Sequence, residues 1–72
     1  MACIDSDGTL TPSGYLLLKA LTDGPLPPTE IAQHLSEPIF KVRGSLRELA
    51  SIDFIEENDG VYHLTDLGRS KL

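Results

Sequence analysis

The chain has 72 residues and a net charge of −5, so it has room for only one small domain. Its composition, 40% hydrophobic and 24% charged, is that of an ordinary globular protein. The longest apolar run, over 15–18, is far shorter than the roughly 20 residues of a membrane span. There is no basic and apolar leader, and the single cysteine, Cys3, excludes an internal disulfide. We therefore expect a cytoplasmic protein without a membrane contact.

Metal binding and catalysis have little support in the sequence. One thiol and two distant histidines, His34 and His63, cannot supply a four-ligand zinc site of the usual spacing. We find no nucleophile–histidine pattern, no phosphate-binding glycine-rich loop and no paired carboxylates in a predicted cleft. The sequence predicts a protein that is not an enzyme and holds no cofactor.

The first ten residues carry two acids, a glycine and little apolar content. We interpret 1–10 as a flexible N-terminal segment, with Ile4 or Leu10 as candidate packing residues, and 11–72 as the folded domain. Thr11-Pro12 then provides an N-cap hydroxyl and a proline at the first helical position. A leucine stripe follows, and Asp23-Gly24-Pro25 is a helix stop, so a first helix is predicted over 12–22.

Two more helices follow in quick succession. Pro28 starts a short helix over 28–35, whose apolar residues recur at helical spacing. Ser36-Glu37-Pro38 is the next start signal, with Ser36 as the cap candidate and Pro38 at or near the first helical position. The predicted third helix covers 37–51. Its buried face comprises Val42, Leu46 and Leu49, prolonged by Ile39 and Ile52.

The apolar pattern then changes to that of strands. Asn58-Asp59-Gly60 is a tight-turn signal between two short apolar runs, which predicts an antiparallel hairpin over 54–64. Thr65 caps a last short helix over 66–72, with Leu67 facing the core. The predicted fold is mainly α-helical with a small β-hairpin. A lone hairpin is unstable in water, so it must pack on the helices.

The order of these elements resembles the winged helix-turn-helix domain of MarR/ArsR-like bacterial and archaeal transcription regulators. Residues 26–35 (LPPTEIAQHL) are similar to the second helix of that family, and 42–49 (VRGSLREL) to its recognition helix. Residues 54–56 (FIE) and 64–69 (LTDLGR) are similar to the segments that enter and leave the wing. The resemblance implies a DNA-binding regulator whose third helix enters the major groove.

The exposed face of the third helix is the candidate DNA-binding site. Segment 36–47 has a charge of +2, because it contains three basic residues, Lys41, Arg43 and Arg47, and one acid, Glu37. The remaining sequence therefore carries −7. Arginine offers a fork to guanine or phosphate. The competing interpretation is a solvated face, with Lys41 pairing with Glu37 and Arg43 with the nearby Glu48. The candidate contacts are Lys41, Arg43, Gly44, Arg47, Phe40 and, at the start of helix two, Thr29.

Three features leave a second function open. The predicted wing, over 53–59, carries a charge of −4, which has the wrong sign for phosphates. Phe40 is expected to pack against helix two, but would otherwise be an exposed anchor for a protein partner. The chain as a whole is acidic. The alternative to a DNA-binding regulator is therefore a winged-helix protein–protein interaction module. A homodimer, if formed, would use helix one and the N-terminal segment.

Overall fold

The computed structural model describes residues 9–72. In chain order the elements are α1 (Pro12–Ala20), α2 (Pro28–Leu35), α3 (Ile39–Ser51), β1 (Ile55–Asn58), β2 (Val61–Leu64) and α4 (Asp66–Arg69). Most of the predicted flexible segment, including Cys3 and Ile4, lies outside the described residues. Leu10 is partly buried and packs against the core.

Helix α1 begins as predicted and ends earlier than predicted. The Thr11 hydroxyl accepts a hydrogen bond from the Gly14 N–H at 3.2 Å, and Pro12 is the first helical residue. The helix ends at Ala20 rather than at residue 22, because Leu21 has already left helical geometry with ψ near 1°. A turn follows, in which Gly24 has φ 141°, a backbone angle that residues other than glycine rarely adopt.

The turn between α2 and α3 differs from the prediction in the role of each residue. Ser36 has φ 55°, and the N–H groups of Ser36 and Glu37 bond to carbonyl oxygens of the last turn of α2 at 3.3 and 3.1 Å. These are the two bonds of a Schellman motif, so Ser36 ends α2 and does not cap α3. Pro38 has extended geometry and is the N-cap, so α3 begins at Ile39 instead of residue 37.

The hairpin has the predicted position and turn. Ile55 pairs with Leu64 and Asn58 with Val61, which leaves a two-residue loop. Asp59 and Gly60 have φ of 51° and 86°, both positive, as a type I′ turn requires. Leu26, in the α1–α2 connector, extends this sheet by an isolated bridge to Tyr62, with reciprocal hydrogen bonds of 3.0 and 2.9 Å.

The short helix α4 turns a different residue inward from the one predicted. Leu67 is 47% exposed, and the buried residue of this helix is Gly68. Thr65 fixes the arrangement, since its hydroxyl accepts the Gly68 N–H at 3.0 Å and donates to the carbonyl oxygen of Asp53. These two bonds place Gly68, and not the leucine before it, against the chain that leads into β1.

The core lies between the three long helices and the inner side of the hairpin. Each of the three helices contributes its apolar stripe, and the hairpin closes the remaining side. This leaves the opposite face of α3 to solvent. The buried apolar residues are Leu17, Leu18, Leu21, Ile31, Val42, Leu46, Leu49, Phe54, Ile55 and Leu64.

Candidate nucleic-acid interface

Helix α3 has one buried face and one exposed face. Val42, Leu46 and Leu49 are fully buried, as their spacing predicts. Ile39 and Ile52, expected to extend this stripe, are 36% and 37% exposed because they lie at the two ends of the helix, where the core no longer covers them. Ser45 is also buried and Ala50 packs partly against the core, and the side of the helix that faces away from these residues is exposed. We call Phe40, Lys41, Arg43, Gly44 and Arg47 the α3 surface.

The prediction that Phe40 packs against helix two is wrong. Its side chain is 70% exposed. The reason is the helical repeat. With Val42 and Leu46 fixed inward, Phe40 lies on the opposite side together with Arg43, Gly44 and Arg47, which follow it by three, four and seven residues. The α3 surface therefore contains an exposed aromatic ring among basic side chains.

The three cations of the α3 surface form no ion pair with another described residue, so Lys41 does not pair with Glu37 and Arg43 does not pair with Glu48. Two of the chain's other cations already have aromatic neighbours. Lys19 Nζ lies 5.9 Å from the ring centre of Tyr15, and Lys71 Nζ lies 5.8 Å from that of Phe54. Half of the six basic residues of the sequence are thus exposed on one helix, with Arg43 and Arg47 on the face of Phe40 and Lys41 at its flank.

Gly44 is a notch in the α3 surface. A Cβ built at this position would have no atom within 4 Å, and the residue has ordinary helical geometry. Glycine inside a helix costs about 0.5–1 kcal/mol relative to alanine. The described part of the fold gives no packing reason for this cost, and the missing side chain allows a partner to approach the helix backbone closely.

Thr29 is exposed in the first turn of α2. The N-cap of this helix is Pro27, which supplies no side-chain hydrogen bond. Helix α2 packs on α3, but Thr29 is not part of the α3 surface. The structure therefore brings four of the six predicted contacts, all but Lys41 and Thr29, to one face of α3, with Lys41 at the flank of that face and Thr29 on the neighbouring helix.

The acids of the hairpin have local partners that sequence reasoning missed. Glu57 Oε2 accepts the Gly60 N–H at 3.0 Å across the turn. Glu56 Oε1 lies 4.0 Å from Nε2 of His63, its cross-strand neighbour. The spacing of three residues between Glu57 and Gly60 was the available signal for the first contact. These two carboxylates therefore contribute to the hairpin itself, while Asp59 stays exposed at the tip.

No group of potential metal ligands occurs among residues 9–72. Two surface depressions enclose about 120 and 220 Å³, below the roughly 300–1,000 Å³ of ordinary small-molecule sites. Within the described chain, no helix combines the length and apolar character that crossing a membrane requires. The α3 surface is therefore the best-supported candidate site.

Comparison with known proteins gives structural matches only. No protein-family model and no curated protein sequence matches the chain. The solved structure of ZitR from Lactococcus lactis matches with a TM-score of 0.82 and 24% identity, over 96% of this chain and 49% of that one. CalO1, a methyltransferase in calicheamicin biosynthesis with SAH bound, matches with a TM-score of 0.73 and 34% identity over 82% of this chain. PigF with SAH matches with a TM-score of 0.71 and 26% identity over 79%.

These matches confirm the predicted fold class. The chain has a winged-helix fold, with α2 and α3 as the helix-turn-helix and β1–β2 as the wing. It spans only 18% of the CalO1 chain, 17% of the PigF chain and about half of ZitR. The fold is thus found both in ZitR and as a small part of much longer chains.

Proposed function

We propose that this protein is a winged-helix transcription regulator of the MarR/ArsR-like kind, which binds duplex DNA through α3. The observation that supports this most directly is the group of three exposed cations, Lys41, Arg43 and Arg47, without an ion-pair partner in the described chain. An acidic protein that concentrates positive charge on one helix face has a local footprint for a polyanion. The structural similarity to ZitR supports the winged-helix fold on which this proposal rests.

In this proposal α3 lies in the major groove, which is wide enough to admit a helix. Arg43 and Arg47 contact guanine edges or phosphates through their planar forks, and Lys41 contacts a phosphate as a point charge. Thr29 lies near the DNA backbone at the N-terminus of α2, where the helix dipole favours anions. The acidic hairpin stays away from the phosphates.

A homodimer forms part of the proposal. A single module of this kind buries only about 600–1,000 Å² on DNA, and two copies on adjacent half-sites would raise the affinity. We place the dimer contact on α1 and the N-terminal segment. Tyr15 and Leu16 of α1 are 39% and 55% exposed. No catalytic activity is proposed.

The second candidate is a winged-helix module that binds another protein. The observation in its favour is Phe40, whose 70% exposure fits an aromatic anchor, and the fold's presence within the longer CalO1 chain is compatible with it. Salt dependence separates the two functions. Phosphate contacts weaken steeply with added salt, whereas an apolar protein interface changes little.

The test is an amide chemical-shift titration of the labelled protein with mixed-sequence duplex DNA at low and physiological salt. We expect shifts centred on 37–47 that diminish as salt is added. The double variant Arg43→Ala/Arg47→Ala should lose these shifts while its melting temperature stays nearly unchanged, because both side chains are exposed. Arg69→Ala/Lys71→Ala, which removes the same charge from exposed positions outside α1 and α3, is the matched control.

Two results would contradict the proposal. If the double variant binds DNA as the original protein does, α3 is not the contact surface. If no shifts occur at low salt, duplex DNA is not the ligand, and the protein-module function is tested next by salt-insensitive binding that depends on Phe40. Equal losses in the double variant and its control would indicate a non-specific charge effect.

A further inference from the structure

We infer that Phe40 is a specificity-determining residue that selects thymine, by packing its ring against the 5-methyl group in the major groove. The inference rests on the proposed function and names the base that the α3 surface prefers. Thymine is the base that presents an apolar group in the major groove, beside its O4 acceptor. An exposed aromatic ring is a chemically matched contact for that methyl group.

Exposure alone does not support this assignment, since single apolar side chains are common on protein surfaces. The position of Phe40 does. It is the second residue of α3, and recognition helices contact base edges mainly through their N-terminal residues. Arg43 and Arg47 follow at three and seven residues on the same face, so a helix placed with its arginines toward DNA also turns Phe40 toward it.

The surroundings of Phe40 favour DNA over a protein partner. Its exposed neighbours on α3 are Arg43 and Arg47 on the same face and Lys41 at the flank, and Ile39 is the adjacent apolar residue, at 36% exposure. Lysine is under-represented at protein–protein interfaces, whereas arginine is common both there and on phosphates, so Lys41 is the neighbour that favours DNA. A ring bordered by cations instead complements a ligand that is polyanionic overall and carries isolated apolar groups, as duplex DNA does.

Gly44 adds an independent geometric argument. It lies one turn after Phe40 on the same face, and the space beside it is open. Because no side chain projects there, the helix axis can come closer to the groove floor at this turn. That approach brings the ring of Phe40 within reach of a methyl group that a helix held further out would not contact.

The experiment removes the methyl group and leaves the rest of the base intact. Binding sites are first selected from a random duplex pool with the full 72-residue chain. Each selected duplex is then made with thymidine or with deoxyuridine, which keeps O4 and the base pairing. We expect roughly fourfold weaker binding for each contacted methyl group that is lost, from the burial free energy of one such group.

The variant Phe40→Ala should bind the thymidine duplex as weakly as the deoxyuridine duplex, so that its ratio of affinities falls to one. Phe40→Leu, which keeps an apolar side chain, should retain part of the preference. Leu67→Ala, which truncates another exposed apolar residue outside α3 and the proposed dimer contact, is the matched control and should keep the full ratio. Thermal unfolding of each variant checks that the fold is intact.

The outcomes separate this inference from the proposed function. Equal binding of both duplexes by the original protein overturns thymine selection and leaves DNA binding in place. A preference for thymidine that persists in Phe40→Ala overturns the assignment to Phe40. If selection recovers no duplex and neither form is bound, the proposed function itself fails, and the inference fails with it.

Discussion

Gly68 in α4 lies directly against the backbone of Phe54, the residue that precedes the hairpin. A Cβ at position 68 would overlap the carbonyl oxygen of Phe54 and lie 2.8 Å from its carbonyl carbon and 3.1 Å from its Cα. Backbone atoms cannot move aside as a flexible side chain can. The close approach also holds the Thr65 N–H at 3.2 Å from the same carbonyl oxygen.

Gly68→Ala should therefore destabilise the fold by about 2–3 kcal/mol, because the added methyl group forces the backbone of α4 away from Phe54. Chemical denaturation of the purified variant measures this loss. Ser70→Ala, an exposed position two residues on, is the control and should stay close to the original stability. A fully stable Gly68→Ala protein would show that α4 packs elsewhere.

Ser45→Ala should stabilise the protein by about 1 kcal/mol. The Ser45 side chain is 1% exposed and its Oγ has no hydrogen-bond partner among residues 9–72, so the hydroxyl is desolvated without compensation. Alanine also has the higher helix propensity. Ser51→Ala on the same helix is the control, since that hydroxyl is exposed and bonds to the carbonyl oxygen of Glu48. A loss of stability in Ser45→Ala would contradict the described packing.

Gly44→Ala should raise the stability of the protein and weaken its binding to duplex DNA. The open space around position 44 accepts a methyl group, so we expect the free energy of unfolding to rise by about 0.5–1 kcal/mol. If the notch lets DNA approach the helix, the same change should weaken duplex binding. Unfolding and titration of one preparation give both values. Gly44→Ala that binds DNA normally would remove Gly44 from the interface.

Asp59→Asn tests whether the hairpin stays away from DNA. Asparagine accepts the positive φ of 51° at this position, so the turn should persist. At physiological salt, where charges are screened beyond about 8 Å, duplex affinity should stay unchanged. Asp23→Asn, in the α1–α2 turn, removes the same charge elsewhere as a control. Stronger binding by Asp59→Asn alone would place the hairpin tip beside a phosphate.

Local signals in the sequence were sufficient for most helix and turn positions. Thr11-Pro12 and Asp59-Gly60 act as predicted, because each motif satisfies its own backbone without help from distant residues. Ser36 was misassigned since serine suits both a helix start and, less often, a left-handed helix end. Only the bonds back to α2 decide between these two roles.

The errors at Phe40 and Leu67 have a common cause. Both residues were predicted to face inward because they are large and apolar, yet tertiary contacts decided otherwise. The inward direction of α3 is set by Val42 and Leu46, and that of α4 by the Thr65 bonds that place Gly68 against Phe54. The hydrophobicity of one residue does not show whether it faces the core, because the contacts of neighbouring residues set the orientation of the helix.

Helical periodicity determines how far the predicted contacts share one surface, and their role in binding stays a prediction. Phe40, Arg43, Gly44 and Arg47 share a face because of their spacing alone. The relation of Thr29 to that face depends on the α2–α3 packing, which sequence spacing does not specify. Sequence spacing also does not show that Lys41 has no ion pair with the described residues, since Glu37 lies four residues before it but precedes the start of α3.

The isolated bridge between Leu26 and Tyr62 ties the two-stranded hairpin to the connector between α1 and α2. A displacement of the hairpin base would therefore also move the α1–α2 connector, which precedes the start of α2. Only the last pair, Asn58 with Val61, and the turn project beyond this tie. The amides of Leu26 and Tyr62 should exchange with solvent as slowly as those of the core, and any bending of the hairpin is confined to its tip.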